Sequence, residues 1–380
     1  MKHEASRAHP GQPAGHPGGQ GVYLPRLIAW EVTRTCNLSC IHCRASARLG
    51  PYPGELTTAE GRRLLEEIAS FSQPILIMTG GEPLMRPDIF ELIAHGSRLG
   101  LRMVLSSNGT PITAELARQM VESGVKRLSI SLDGATAASH DRFRQMEGAF
   151  EGSLRGIELI KAVGLEFQIN TTITQCNLSE LAAIQELACR VGAAAHHIFL
   201  LVPTGRGKEL AEQEISAADY EQALHWFYDQ REQVPLHLKA TCAPHYYRIL
   251  RQRAREEGKT VTPETFGLDA MTKGCLGGQS FAFISHRGEV QICGYLEVKC
   301  GDVREQHFRE IWEHSPVFLQ MRDLDRYHGR CGHCEYRRVC GGCRARAYAA
   351  TGDYLGEEPL CTHQPRQPRS DSERSGDLSS

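Results

Sequence analysis

Three thiols fall within eight residues of this chain, Cys36, Cys40 and Cys43, in the run TCNLSCIHCR at 35–44. The C-x3-C-x2-C spacing is too short to wrap four ligands of its own around one metal. It does reach three irons of a single 4Fe–4S cube. Such cubes normally take four cysteine thiolates, so three leave one iron open to a ligand and to chemistry. A Cys3His zinc site completed by His42 draws on the same residues, and so do three unrelated buried thiols. A second cysteine field lies far downstream. Cys275 is followed by Gly288 and Cys293, and then Cys331, Cys334, Cys340 and Cys343 run as C-x2-C-x5-C-x2-C before Cys361. Paired C-x2-C knuckles are also a zinc-ribbon element, although ribbon knuckles usually stand about 15–20 residues apart.

The elements that must position these thiols alternate between strand and helix. Apolar runs at 27–32, 75–78, 103–105, 128–132, 167–173 and 198–202 read as strands. Thr57 to Glu60 is a capping box opening a helix, Pro87-Asp88 starts another that Gly100 stops, and Thr113 caps a third that Gly124 closes. Strands alternating with helices imply a parallel sheet with right-handed crossovers. Six units are too few to close an eight-stranded barrel, so the expected fold is a partial (β/α)6 barrel. Reactive groups in such folds gather at the C-terminal strand ends. Here those ends carry the cysteines, then Thr79-Gly80-Gly81-Glu82, Ser106-Ser107-Asn108, Ser131-Leu132-Asp133, Asn170-Thr171-Thr172 and Pro203-Thr204-Gly205-Arg206-Gly207-Lys208. After about residue 235 the alternation is expected to stop. Phe281–Ser285 and Glu289–Ile292 flank His286-Arg287-Gly288 as a β-hairpin. The expected organisation is a disordered tail over 1–22, a barrel over 23–235, a small cysteine-rich domain over 236–363 and a second disordered tail over 364–380.

Composition narrows the classes. Hydrophobic content of 41 % with 23 % charged residues is that of a soluble globular protein. A formal charge of −2 gives no global field for nucleic acid or an anionic membrane. No apolar run reaches the ~20 residues that span a bilayer, and no signal pattern opens the chain, so the cytoplasm is expected. Fourteen cysteines there argue for metal or redox chemistry rather than a disulfide frame. Cys176, Cys189 and Cys300 belong to no motif, and the first two read as helix-side core thiols.

CNLSCIHC resembles the signature of the radical S-adenosylmethionine (SAM) enzymes, with His42 in the place of the aromatic residue before the last cysteine. The resemblance implies that the bare iron is chelated by SAM, and that one electron then releases a 5′-deoxyadenosyl radical that abstracts hydrogen. Gly80-Gly81-Glu82 resembles the family's GGE motif, whose glycines let backbone approach the ligand and whose Glu takes the methionyl ammonium. Ser131 and Asp133 stand where related enzymes hold the ribose and carboxylate of SAM, with Asn108 and Arg144 as further contacts. The later cysteines resemble the SPASM extension with its two auxiliary 4Fe–4S clusters. By position, Cys331, Cys334, Cys340 and Cys361 would hold one, and Cys275, Cys293 and Cys343 the other. Cys242 is the candidate fourth ligand of the second, the alternative being an open site. The family usually has three residues between its last close pair, and Cys340 and Cys343 have two.

VPTGRGK at 202–208, KATCAPHYYR at 239–248 and CGGCRARAYAATGDYLGEEPLC at 340–361 resemble the tetrapyrrole-modifying branch, and residues 26–47 are most similar to its heme b synthases. That resemblance implies oxidative decarboxylation of two propionates of Fe-coproporphyrin III to vinyl groups, with an electron donor such as ferredoxin or flavodoxin. The substrate's carboxylates call for cations, for which Arg206, Lys208, Lys239 and Arg248 are candidates. Its iron could take an imidazole from His196, His197 or His245. Competing readings are the deacetylase and heme d1 reactions of the same branch, a peptide-modifying SPASM maturase, and a non-catalytic zinc or electron-transfer protein.

Overall fold

The computed structural model describes residues 23–366. The N-terminal tail expected over 1–22 and all but three residues of the C-terminal one lie outside that range. Ten strands form one sheet: β1 Leu27–Thr33, β2 Ile75–Gly80, β3 Arg102–Ser107, β4 Arg127–Ser131, β5 Phe167–Ile173, β6 Ala195–Leu200, β7 His237–Thr241, β8 Phe281–Ile284, β9 Glu289–Cys293 and β10 Leu296–Asp302. Their order is β10-β9-β8-β1-β2-β3-β4-β5-β6-β7, parallel from β8 through β7, with β8-β9-β10 antiparallel.

Alternation decides which side of each strand is apolar. On β1, Ile28, Trp30 and Val32 are buried in the core that also takes Leu76 and Met78 of β2, Met103 and Leu105 of β3, and Leu128 and Ile130 of β4. Helices α1 (Thr58–Ala69), α2 (Ile89–Arg98) and α3 (Ala114–Ser123) cover that side through Leu64, Leu65, Leu92, Ile93 and Met120. Each such side chain contributes roughly 1.5–3 kcal/mol when fully buried. The capping box at Thr57 forms as expected, with Thr57 accepting from the Glu60 N–H and Glu60 reaching back to the Thr57 N–H at 2.8 Å. Helices α4 (Ala137–Arg144), α5 (Ala149–Ala162), α6 (Leu181–Arg190), α7 (Ala217–Asp229) and α8 (His245–Glu256) follow.

The structure departs from the sequence-based expectations at four places. The sixth strand begins at Ala195 rather than Ile198, because His196 and His197 interrupt the apolar run although both lie in the strand. The alternation does not stop at 235: β7 pairs in parallel with β6 and leads into α8. Its alternate polar residues His237, Lys239 and Thr241 hid it, while Leu238 and Ala240 join the core. The hairpin forms at β8 and β9, but β8 also pairs with β1, so one sheet joins the strand before the first cysteines to the hairpin that carries Cys293. Cys189 packs against the core as expected, whereas Cys176 lies in the loop after β5, half-buried, with its thiol on the Gln213 side-chain oxygen.

Candidate functional site

The cysteine loop leaves β1 and is closed by a bridge between Thr35 and Arg48, with the Cys36 N–H on the Arg48 carbonyl at 3.0 Å. Each of its sulfurs receives one donor. The Leu38 N–H reaches Cys36 Sγ at 3.4 Å, Arg144 Nη1 reaches Cys40 Sγ at 3.6 Å, and the Ala47 N–H reaches Cys43 Sγ at 3.3 Å. Burial pushes the Cys36 thiol up to about 12 and raises Cys40 as well. Cys36 and Cys40 therefore keep their protons until a metal displaces them, and the donors at the sulfurs then stabilise the thiolates. Among the described residues, neither these cysteines with His42 nor the later C-x2-C pairs bring three donor atoms within 4.8 Å of one another; only Cys334, Glu335 and His363 do. One zinc ion needs its ligands that close. A cube takes its thiolates at separate corners rather than around one ion.

Arginine side chains hold the loop in shape. Arg206, expected on a substrate carboxylate, donates from Nε to the Cys40 carbonyl at 2.8 Å and from Nη1 to the Ala47 carbonyl at 2.7 Å. Only its buried Nη2 has no partner. Lys208 is exposed. Arg44, directly after Cys43, pairs with buried Glu31 at 2.9 Å and lies over the Phe283 ring. Burial works against the Glu31 charge, but Arg44, His286 and Arg34 outweigh it and hold the carboxyl down at about 2. Glu31, Arg44 and His286 were not legible as a unit, since 255 residues separate Glu31 from His286.

Gly80 and Gly81 serve this loop directly. The Gly81 N–H meets the Thr33 carbonyl and the Glu82 N–H the Thr35 carbonyl, both at 2.8 Å. A Cβ on Gly80 would lie 2.4 Å from the Thr33 oxygen, and one on Gly81 2.5 Å from that of Thr35. The missing side chains therefore face the cysteine loop's own backbone. Gly81→Ala is expected to displace the loop and to lower iron bound at the first cysteines, at a cost of about 1–3 kcal/mol. Anaerobic iron analysis and a denaturation midpoint measure both effects.

The other strand ends converge beside the loop. Glu82 is fully buried and accepts the N–H groups of Asn108 (2.8 Å) and Leu84 (3.2 Å). Burial pushes its carboxyl up to about 7, so an arriving ammonium would restore its charge. Asn108 is tied to the loop, donating from Nδ2 to Asn37 Oδ1 at 2.9 Å. Arg144 bridges Cys40 to Asp133, whose Oδ2 lies 2.5 Å from Nη2 and whose Oδ1 accepts the Thr172 N–H at 2.7 Å. Burial raises Asp133, and Arg144 opposes it. The His42 ring rests on Phe143, centroids 4.4 Å apart, with Nε2 3.8 Å from Asp133. Burial keeps it neutral, and its Nδ1 is buried without a partner. Ser131 closes β4 on the side of the sheet away from the helices.

The later cysteines separate into two groups. Cys331, Cys334, Cys340 and Cys361 line one solvent-open pocket together with His245 and Arg248. Cys331 Sγ accepts from the Glu358 N–H and Arg344 Nη2, both at 3.4 Å, Cys334 Sγ from the Tyr336 N–H at 3.4 Å and Cys340 Sγ from the Gly342 N–H at 3.5 Å. Both nitrogens of buried His245 lack partners, and Arg248 is paired with Glu221 and Gln252. Cys242 has Cys343, Cys293 and Cys275 as its charge neighbours, which with burial raise its thiol well above the ordinary value. These four form a second group around a Cys242 backbone at φ 55°, a strained conformation for a residue with a side chain. The short link from Cys340 to Cys343 is possible because Gly341 and Gly342 both take positive φ, 75° and 62°. Two arginines and a glutamate missed in the sequence complete this region. Arg344 donates to Cys331 Sγ, while Arg346 and Glu358 form a buried pair at 3.3 Å.

Residues 30–188 match the radical SAM superfamily and residues 275–343 an iron–sulfur cluster-binding (SPASM) domain. The chain is 59 % identical over 342 residues to the AdoMet-dependent heme synthase of Nitratidesulfovibrio vulgaris, covering 90 % of this chain and 93 % of that protein. It is 54 % identical to the enzyme of that name from Methanosarcina barkeri, covering 90 % and 97 %. In fold it is similar to Streptococcus suis SuiB bound to its precursor peptide SuiA, with TM-score 0.70 and 16 % identity over 90 % of this chain and 77 % of that one.

Proposed function

The chain belongs to the radical SAM superfamily, among its AdoMet-dependent heme synthases, and on that premise we propose that it converts Fe-coproporphyrin III to heme b. Cys36, Cys40 and Cys43 would hold the SAM-binding cube, with Glu82 set for the methionyl ammonium and Ser131, Asp133, Asn108 and Arg144 shaping the surrounding wall. Cys331, Cys334, Cys340 and Cys361 would hold one auxiliary cube, and Cys275, Cys293, Cys343 and Cys242 the other. When bound, these groups supply a hydrogen-abstracting deoxyadenosyl radical and an electron sink. For each of two propionates the substrate loses one β-hydrogen atom and one further electron, its carboxylate leaves as CO2, and a vinyl group remains. The protein's own part is to keep the three thiols spaced, to clamp their loop through Arg206 and Gly81, and to shield the site from water.

The observation that carries this reading is the loop itself, in which three closely spaced thiols, Cys36 and Cys40 buried and Cys43 partly so, each receive a single donor. The electron donor is a low-potential protein such as ferredoxin or flavodoxin. No helix among the described residues is long and apolar enough to cross a membrane, and a thiol-rich chain of this kind suits the reducing cytoplasm. Anaerobic incubation with Fe-coproporphyrin III, SAM and dithionite is expected to yield heme b, with mass spectrometry recording the loss of two CO2 per porphyrin. Deoxyadenosine formed with no change in the porphyrin would refute the substrate.

A further inference from the structure

One level of the sheet carries a row of polar residues that begins at Ser131 and runs away from the cysteine loop. Ser131 of β4 pairs with Asn170 of β5, Asn170 with His197 of β6, and His197 with Lys239 of β7. Their neighbours along the strands point the other way. His196 packs against Phe227 of α7 and meets Thr171 Oγ1 at 2.9 Å, while Leu238 and Ala240 lie in the helix-side core. The Ser131–Lys239 row therefore faces away from the helices.

Within the row the imidazole of His197 is set in one direction. The Gln168 amide nitrogen lies 2.9 Å from Asn170 Oδ1 and 2.8 Å from His197 Nδ1. An imidazole that accepts at Nδ1 carries its proton at Nε2 when neutral, and burial holds His197 well below its ordinary value. That Nε2 is buried and has no partner. Directly across on β7, Lys239 forms no ion pair within 4 Å among the described residues; its charge neighbour Asp269 lies 3.9 Å from Arg231. A buried donor without an acceptor beside an unpaired cation is costly to hold, and one carboxylate would satisfy both.

We propose that His197 and Lys239 form the seat of a substrate carboxylate, with Gln168 and Asn170 fixing the imidazole. The inference rests on the porphyrin reading above and names where one propionate is held. His197 stands two strands from Ser131, a separation of about 10 Å at ordinary strand spacing. A carboxylate on this seat is thus held to one side of the strand ends where hydrogen is removed. It belongs to a propionate that stays on the product.

Optical titration of anaerobic, cluster-loaded protein with ferric coproporphyrin III, followed at the Soret band, tests the seat. Lys239→Met and His197→Phe are each expected to weaken binding at least about tenfold. Binding of the ferric tetramethyl ester, which lacks carboxylates, is expected to change less than about twofold in both variants. Iron content and melting temperature verify that the variants fold. Unchanged affinity for the acid in folded variants overturns the seat. So does equal loss for acid and ester, which in His197→Phe would mark an iron ligand instead. A wild-type protein that binds neither porphyrin overturns the substrate reading itself.

Discussion

Replacing Cys36 by alanine is expected to abolish 5′-deoxyadenosine formation while most of the iron stays bound. The loop has no spare ligand for that corner. Its other thiols, Cys40 and Cys43, already meet Arg144 and Ala47, and His42 is turned onto Phe143 and Asp133. The substitution removes little volume, and the loop closure at Cys36 uses backbone rather than sulfur, so the fold should persist. Auxiliary iron should also persist, because the later thiols are gathered by other elements, the cavity around Cys340 and the group around Cys242. With three cubes in the wild type, iron analysis of the triple variant Cys36→Ala/Cys40→Ala/Cys43→Ala should return roughly two thirds of the wild-type value. About one half would mean a single auxiliary cube. Deoxyadenosine production by Cys36→Ala would remove the basis for the proposed chemistry.

What the sequence made legible and what it hid differ by the range of the interaction. The capping box at Thr57, the closing Gly124 and the strand Phe167–Ile173 are local, set by residues within one turn or one strand, and all appear where the pattern puts them. The cysteines are legible for a related reason, since ligand spacing is itself a short-range signal. The residues that hold those cysteines are not. Arg206 reads as a free cation at a strand end, yet it reaches back 166 residues to the Cys40 carbonyl. Lys239 and Arg248 carry the same charge in the same stretch, but only pairing partners distinguish them: Arg248 is neutralised by Glu221, while Lys239 has no ion pair among the described residues. The three histidines offered for the substrate iron separate the same way. His196 belongs to the helix side, His245 to the cysteine-lined cavity, and His197 alone faces the open side of the sheet.

The same long-range logic gives the largest expected loss of stability. Glu358 is fully buried; its Oε2 accepts the Cys343 N–H at 2.6 Å, and both its oxygens lie 3.3 Å from Arg346 Nη1. Its own N–H points at Cys331 Sγ at 3.4 Å. Arg346 in turn reaches the carbonyls of Leu201 (2.9 Å) and Cys242 (3.3 Å) and the carboxylate of Glu214 (3.0 Å). One buried ion pair therefore ties both cysteine groups to the end of β6. Glu358→Ala leaves Arg346 charged and under-compensated in the interior, which costs about 3–5 kcal/mol. The expected result is a lowered denaturation midpoint with loss of auxiliary iron from both groups, whereas Glu358→Gln, which keeps an acceptor, should lose less. Burial opposes the Glu358 charge, but Arg346 and His245 outweigh it and hold the carboxyl below its ordinary value. The pair's contribution is therefore complete above the ordinary carboxylate range and is lost as pH falls through the lowered value. Wild type and Glu358→Ala should accordingly differ most near neutrality and converge in acid. A constant difference across that range, or a full complement of auxiliary iron in Glu358→Ala, would show that the pair does not hold the two groups together.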